Sequence, residues 1–207
     1  MVHYKLTYFD GRGLTECARQ LFALADQQYE DVRLSKEQFA SIKDKMPFGQ
    51  IPDVEVDGKQ LAQSQAINCY LAKTFGFAGK DAFESAVIDS LVDQYMDYRA
   101  EIEPYFHSLL SFIPGDLDKL KKDAMMPACK KFLGIVAKFL KNAASSGFLV
   151  GNSLSWVDVV IAEHVSDISK SLPDYLDGYP EVKAHMEKDR LNPKLKNWFN
   201  KRPETSF

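Results

Sequence analysis

No stretch of this chain stays apolar for the ~18 residues that a membrane-spanning helix requires, so no membrane span is expected. The opening MVHYKLTYFD has no apolar h-region, so no secretory signal is read there. Cysteine is scarce. Cys17, Cys69 and Cys129 lie far apart in helical patterns, which excludes a Cys-x-x-Cys pair and argues against a disulfide framework or zinc site. They read as structural thiols in a reducing, cytoplasmic compartment. His3, His107, His164 and His185 show no metal-ligand spacing, so no metal is expected. A basic excess is also missing: the net charge of −3 argues against a general nucleic-acid binder. Internal repeats and low-complexity tracts are absent. What remains is a globular composition, 45% hydrophobic and 12% aromatic, on 207 residues, enough for one large or two small domains.

The most informative stretch is Pro47–Tyr70, PFGQIPDVEVDGKQLAQSQAINCY. It reads as an Ile-Pro junction, a strand, a turn at Asp57-Gly58, a second strand and a helix opening at Ser64. Gly58 tolerates the positive φ that a tight primed turn demands. Ser64 is read as the helix N-cap, with Ala66, Ile67, Tyr70 and Leu71 following at helical spacing. A polar Gln63-Ser64 pair at a helix N-terminus makes an anion site, because free N–H groups and the helix dipole both favour a carboxylate there. Pro52 cannot continue a ladder, so Ile51 offers a backbone edge nearby. A carboxylate pocket beside an open peptide edge suits a small peptide ligand.

Patterns change near residue 77. Before it lie a strand over Val2–Phe9, a turn at Gly11-Arg12-Gly13, a helix over Leu14–Asp26, a strand over Gln28–Leu34 and a polar crossover to Met46. With the hairpin and the Ser64 helix, the order is βαβ followed by ββα, an α/β thioredoxin-like domain over residues 1–78. Gly76–Lys80 reads as a linker. An all-α helical domain over 82–207 follows, with helical patterns at Phe83–Phe112, Leu117–Asn142, Ser155–Ser171, Glu181–Leu191 and Lys194–Lys201. In Leu154-Ser155-Trp156-Val157-Asp158-Val159, Ser155 and Asp158 have the spacing of a capping box, with Leu154 and Val159 as its staple. That spacing makes Asp158 a structural carboxylate rather than a catalytic one.

Taken in order, these residues resemble the cytosolic glutathione transferases over the whole chain. The matching stretches are Tyr4–Phe9, Arg12-Gly13, Tyr29-Glu30-Asp31, Pro47–Pro52, Val56-Asp57-Gly58, Gln63–Ile67, Gly151-Asn152-Ser153 and Lys201-Arg202-Pro203. The texture is most similar to the sigma class, and to its nematode-type members. The resemblance implies glutathione as cosubstrate and conjugation to hydrophobic electrophiles, in a homodimer. Tyr8 takes the catalytic position, its hydroxyl donating to the glutathione sulfur. A free thiol of pKa ~8.5 is only about 3% ionised at pH 7, so a donor aimed at the sulfur is what the chemistry needs. The resemblance places Ile51, before a cis Pro52, against the cysteinyl part of glutathione. Gln63 and Ser64 fall at its γ-glutamyl carboxylate, and Lys43 reaches the glycyl carboxylate in a stretch shared with Phe39, Gly49 and Gln50. Asp97 matches an acid supplied by the other subunit.

Two positions depart from the family pattern. Phe39 stands where an indole N–H often donates to the glycyl carboxylate, and Phe can only pack. Leu14 stands where prostaglandin D synthases carry Arg, which puts prostaglandin isomerisation in doubt. The electrophile pocket is expected between Phe9–Leu14 and Arg99, Glu103 and Phe106, with Phe207 as a further wall. Alternatives are a glutathione-dependent protein that binds or transports haem or other hydrophobic ligands, a prostaglandin isomerase-like enzyme, and a thioredoxin-like reductase or crystallin-like relative. The Lys-rich face of Lys119, Lys121, Lys122, Lys130 and Lys131 reads as solvated helix rather than as a haem-propionate site.

Overall fold

In the computed structural model residues 2–109, 113–143 and 146–205 are described. The chain divides into two compact units, residues 1–78 with 190–207, and residues 79–189. The first begins with β1 (Tyr4–Phe9), α1 (Glu16–Leu24), β2 (Glu30–Leu34), α2 (Lys36–Ile42), β3 (Asp53–Val56), β4 (Lys59–Ala62) and α3 (Ser64–Phe75). The sheet order is β2-β1-β3-β4, with β1 and β2 parallel and the other pairs antiparallel. Along β1 Tyr4, Leu6 and Tyr8 share one face and are buried, Thr7 on the other face is buried too, and Leu6 pairs with Val54 across the ladder, both fully enclosed. Leu21 and Phe22 of α1 and Ile67 and Leu71 of α3 complete this core. Phe22 stacks on Tyr29 at 4.2 Å and meets Tyr4 edge-on at 5.3 Å.

The hairpin forms as its sequence dictates. Asp57 and Gly58 both hold positive φ, 48° and 82°, the pair of angles a type I′ turn needs. Asp57 also exchanges two hydrogen bonds with the His3 backbone, at 2.9 and 3.0 Å.

The second unit contains α4 (Ala82–Leu109), α5 (Leu117–Leu120), α6 (Met126–Asn142), α7 (Trp156–Ser171) and α8 (Pro180–Arg190). A π-helical turn, Lys121–Met125, joins α5 to α6. Tyr98 of α4 stacks on Phe132 of α6, with centroids 4.3 Å apart and planes 1° from parallel. The Asp158 carboxylate accepts from Ser155 N–H and Leu149 N–H, each at 2.8 Å, and from Ser155 Oγ–H at 2.6 Å. His185 Nε2 lies 2.9 Å from it. Asp158 is therefore a structural carboxylate, bracing a loop, a helix start and α8 at once.

Finally α9 (Pro193–Lys201) rejoins the first unit. Lys194 Nζ donates to Leu24 O at 2.7 Å, and Leu195 is fully buried. The sequence reading places all of 82–207 in one helical domain; the chain past Asp189 instead belongs with α1. Helical periodicity reports that a helix has an apolar face and not which partner covers it.

Three local expectations shift. Ser64 is the first helical residue rather than the cap, and Gln63 occupies the cap position. The polar crossover contains α2, which a Ser35–Gln38 capping box initiates and which buries no residue fully. The helix expected from Leu14 begins as a 3-10 turn over Gly13–Thr15. Phe112 and Phe207 lie outside the described residues.

Candidate active site

Tyr8 stands near the C-terminal end of β1, 8% exposed. Past Phe9 the chain turns sharply, Gly11 N–H donating to Phe9 O at 2.8 Å, and returns beside the tyrosine ring. Gly13 has φ +40°, and a Cβ built on it would lie 2.8 Å from the Tyr8 hydroxyl oxygen. The next residue, Leu14, directs its backbone N–H at that oxygen from 3.5 Å, a long bond that orients more than it holds. A phenol that accepts from a backbone N–H keeps its own proton to donate elsewhere. The turn thus presents a hydroxyl donor at the strand's open end.

A second group gathers across the sheet. The Ile51-Pro52 peptide is cis, and β3 pairs with β1 only from Asp53 onward, so Ile51 lies just before the ladder. Gln63, at φ 74° and ψ 115°, is held in a region that costs a non-glycine residue roughly 1–3 kcal/mol. That strain sits at the N-terminus of α3, whose first turn carries no acidic residue. Backbone N–H groups there lack intrahelical partners by helix geometry, and the dipole adds positive character. Gln63 is exposed and Ser64 is 8% exposed, so one side chain of the pair lies outside and one is tucked in.

Phe39 and Lys43 come from α2 and the 3-10 turn after it. The Phe39 ring meets Phe9 edge-on at 5.3 Å, and Phe9 meets Tyr8 at 5.7 Å. A Cβ on Gly49 (φ +61°) would lie 3.6 Å from Lys43 Cε, so the lysine stem packs along that glycine. Lys43 and Gln50 are exposed. Asp97 lies in the second unit, exposed on α4. In the same helix Leu91, Tyr95 and Tyr98 are buried and Val87, which continues their apolar stripe, is half-buried, so this stripe is largely core. Lys131 of the basic face pairs with Glu101 at 2.6 Å, as a solvated helix surface would.

A hydrogen-bonded tyrosine cluster lies inside the second unit. Tyr98 Oη is 3.1 Å from His164 Nε2, 3.2 Å from Tyr175 Oη and 3.4 Å from Cys129 Sγ. Burial holds His164 far down, at about 3, with Arg99 lowering it further and Asp167 opposing. Burial pushes the Cys129 thiol up, which makes it a poor nucleophile. Among the described residues no three of His, Cys, Asp and Glu converge as metal ligands, and no helix is long and apolar enough to cross a membrane.

One residue beside the site carried no sequence signal. Arg19, fully buried on α1, donates from Nη1 to Gly11 O at 2.6 Å. In sequence it reads as a surface charge, with Glu16 one turn before it.

Residues 4–73 match the model of the glutathione S-transferase N-terminal domain, and residues 104–202 that of the C-terminal domain. A probable glutathione S-transferase 5 of Caenorhabditis elegans is 51% identical over the whole of both chains. A Nu-class enzyme structure from Haemonchus contortus is 54% identical with TM-score 0.93, again over the whole of both chains. A structure from the hookworm Necator americanus, described as a monomeric glutathione S-transferase, is 53% identical with TM-score 0.96, covering 99% of this chain and 100% of that one. The chain belongs to the cytosolic glutathione S-transferase family.

Proposed function

We propose that this protein activates the thiol of glutathione for attack on hydrophobic electrophiles, with Tyr8 as the residue that touches the sulfur. The observation carrying this reading is the Tyr8 hydroxyl at the open end of β1, receiving the Leu14 N–H and flanked by side-chain-free Gly13. A hydroxyl that keeps its proton stabilises a thiolate by roughly 1.5–3 kcal/mol, which lowers the thiol pKa by about one to two units. Glutathione is held by its ends. The γ-glutamyl carboxylate sits at the Gln63-Ser64 helix terminus, the cysteinyl backbone runs along Ile51, and the glycyl carboxylate is met by Lys43, beside Phe39, Gly49 and Gln50. The reaction consumes the thiolate: its sulfur bonds to the electrophilic carbon and the leaving group departs with the electron pair.

The chain is read as a nematode-type enzyme, since its Nu-class relative is 54% identical over its full length; assignment to the sigma class rests on texture alone. It is further read as a homodimer in which Asp97 serves the partner's glutathione site, and as a cytoplasmic protein whose buried free thiols Cys17 and Cys129 suit a reducing compartment. Two substitutions test the site together. Tyr8→Phe should raise the pKa of bound glutathione and cut turnover at about pH 6.5 by roughly tenfold, with affinity nearly kept. Ser64→Ala should do the reverse, weakening glutathione in calorimetric titration with little change in thiol pKa. Parental turnover in Tyr8→Phe would refute the assignment.

A further inference from the structure

The turn that presents Tyr8 is tied to the body of the first unit by a chain of charges that centres on the buried Arg19 and Glu16. Arg19 touches both ends of it. At the near end its Nη1 donates to Gly11 O at 2.6 Å. At the far end the same nitrogen lies 3.7 Å from Glu16 Oε2, and Glu16 is the first residue of α1. Arg19 Nε meanwhile donates to Asp31 Oδ1 at 3.2 Å. Asp31 in turn receives Arg33 Nε at 2.9 Å, and Arg33 Nη1 reaches Asp10 at 3.1 Å. Glu16 is clamped from the C-terminal segment, where Trp198 Nε1 and Arg202 Nη1 donate to its Oε1 at 2.8 and 2.5 Å. Arg19 and Glu16 are 0% and 1% exposed.

Burying a guanidinium and a carboxylate is seldom the most stable way to fill a core, because desolvation consumes much of their attraction and apolar side chains of similar volume pack as well. What the charged pair supplies is direction. A planar fork fixes Gly11 O, the Asp31 carboxylate and Glu16 relative to one another, which a Leu or Met could not do. Between the two pinned ends stand only Arg12, Gly13, Leu14 and Thr15. Gly13 and Leu14 are the residues that set where the Tyr8 hydroxyl points. We propose that Arg19 and Glu16 are positioning residues for thiol activation, holding the 11–16 turn so that Leu14 N–H and the Cα of Gly13 fix the Tyr8 hydroxyl, and that Trp198 and Arg202 anchor this device from the end of the chain. The proposal rests on the reading of Tyr8 as the group that meets the sulfur.

Its test uses the full chain and the ultraviolet absorbance of bound glutathione thiolate followed against pH. Arg19→Lys keeps the charge and loses the fork. The paired change Trp198→Phe with Arg202→Met releases Glu16 from a distance and serves where Arg19→Lys fails to fold. Either should raise the bound thiol pKa by about half a unit or more, which lowers turnover below that pKa by about threefold or more. The glutathione dissociation constant should stay within about twofold, since no group holding the tripeptide is touched. In a Tyr8→Phe background the same changes should leave the thiol pKa where Tyr8→Phe alone puts it. An equal shift in both backgrounds, or none beside an intact Tyr8, overturns the positioning role while leaving Tyr8 in place. A Tyr8→Phe protein whose own thiol pKa matches the parent removes the Tyr8 reading and this proposal with it.

Discussion

A single methyl group at Gly13 should separate the strain of the turn from the chemistry at Tyr8. The Cβ of Gly13→Ala would sit 2.8 Å from the Tyr8 oxygen, 3.2 Å from Cε1 and 3.4 Å from Cζ. A carbon and a hydroxyl oxygen need more than 3 Å, so the ring or the turn must move by about half an ångström. Alanine at φ +40° adds a left-handed cost of about 1 kcal/mol. The displacement is the catalytic part. Half an ångström spoils much of a hydrogen bond that contributes roughly 1.5–3 kcal/mol to the thiolate, so turnover should fall about tenfold or more. Gly58→Ala is the matched control, because its φ of +82° is as unfavourable while nothing lies within 4 Å of the added carbon. Conjugation of a chlorodinitrobenzene-type electrophile at about pH 6.5 and thermal unfolding should be read on both variants. The expected pattern is comparable destabilisation with the rate lost only at Gly13, recovering as pH rises past the thiol pKa. A Gly13→Ala enzyme with the parental rate, or an equal loss at Gly58, would show that the hydroxyl's position does not matter.

The Asp158 brace should dominate the stability of the second unit. Asp158→Ala strands the Ser155 and Leu149 N–H groups and His185, so urea unfolding should reveal a loss of about 3 kcal/mol; a change under about 1 kcal/mol would contradict the bracing role. Acid should act through His164, whose folded value near 3 lies below the ~6.5 of an unfolded histidine. The unfolded chain therefore binds the extra proton, and this stability, complete above about pH 6.5, is lost by up to about 1.4 kcal/mol per unit as pH falls toward 3. His164→Gln should flatten that part of the profile, and an unchanged acid slope would contradict it. For the oligomer, sedimentation equilibrium should give close to twice the 23.5 kDa chain mass, and Asp97→Ala should weaken glutathione binding in an intact dimer; a fully active monomer would exclude the shared site.

Much of the fold was legible because its signals are local. Asp57-Gly58 needs only its own two φ angles to make a hairpin, and Ser155 with Asp158 needs only one turn of helix. The helix at Ser64 was read one residue late in its cap because Ser is the stronger capping residue on intrinsic preference. The cap position fell to Gln63 instead, in a strained conformation that propensity argues against and that accompanies the proposed anion site. The helix α2 escaped notice for the opposite reason: it buries nothing fully, so it carries no apolar period, and only its Ser35–Gln38 box marks it.

What no local signal could supply is the identity of the partner across a long stretch of chain. Glu16, Arg19, Trp198 and Arg202 look in sequence like surface charges and one aromatic, yet the other three converge on the buried Glu16 carboxylate. The α4 stripe is ambiguous in the same way. Val87, Leu91, Tyr95 and Tyr98 recur at helical spacing, a pattern that suits a dimer seam but more often marks a core, and the last three are buried while Val87 is half-buried. A dimer of this chain must therefore draw its contacts from residues other than Leu91, Tyr95 and Tyr98. Asp97 sits on the exposed side of that helix, and its proposed service to a partner stands or falls on its own charge rather than on the apolar stripe beside it.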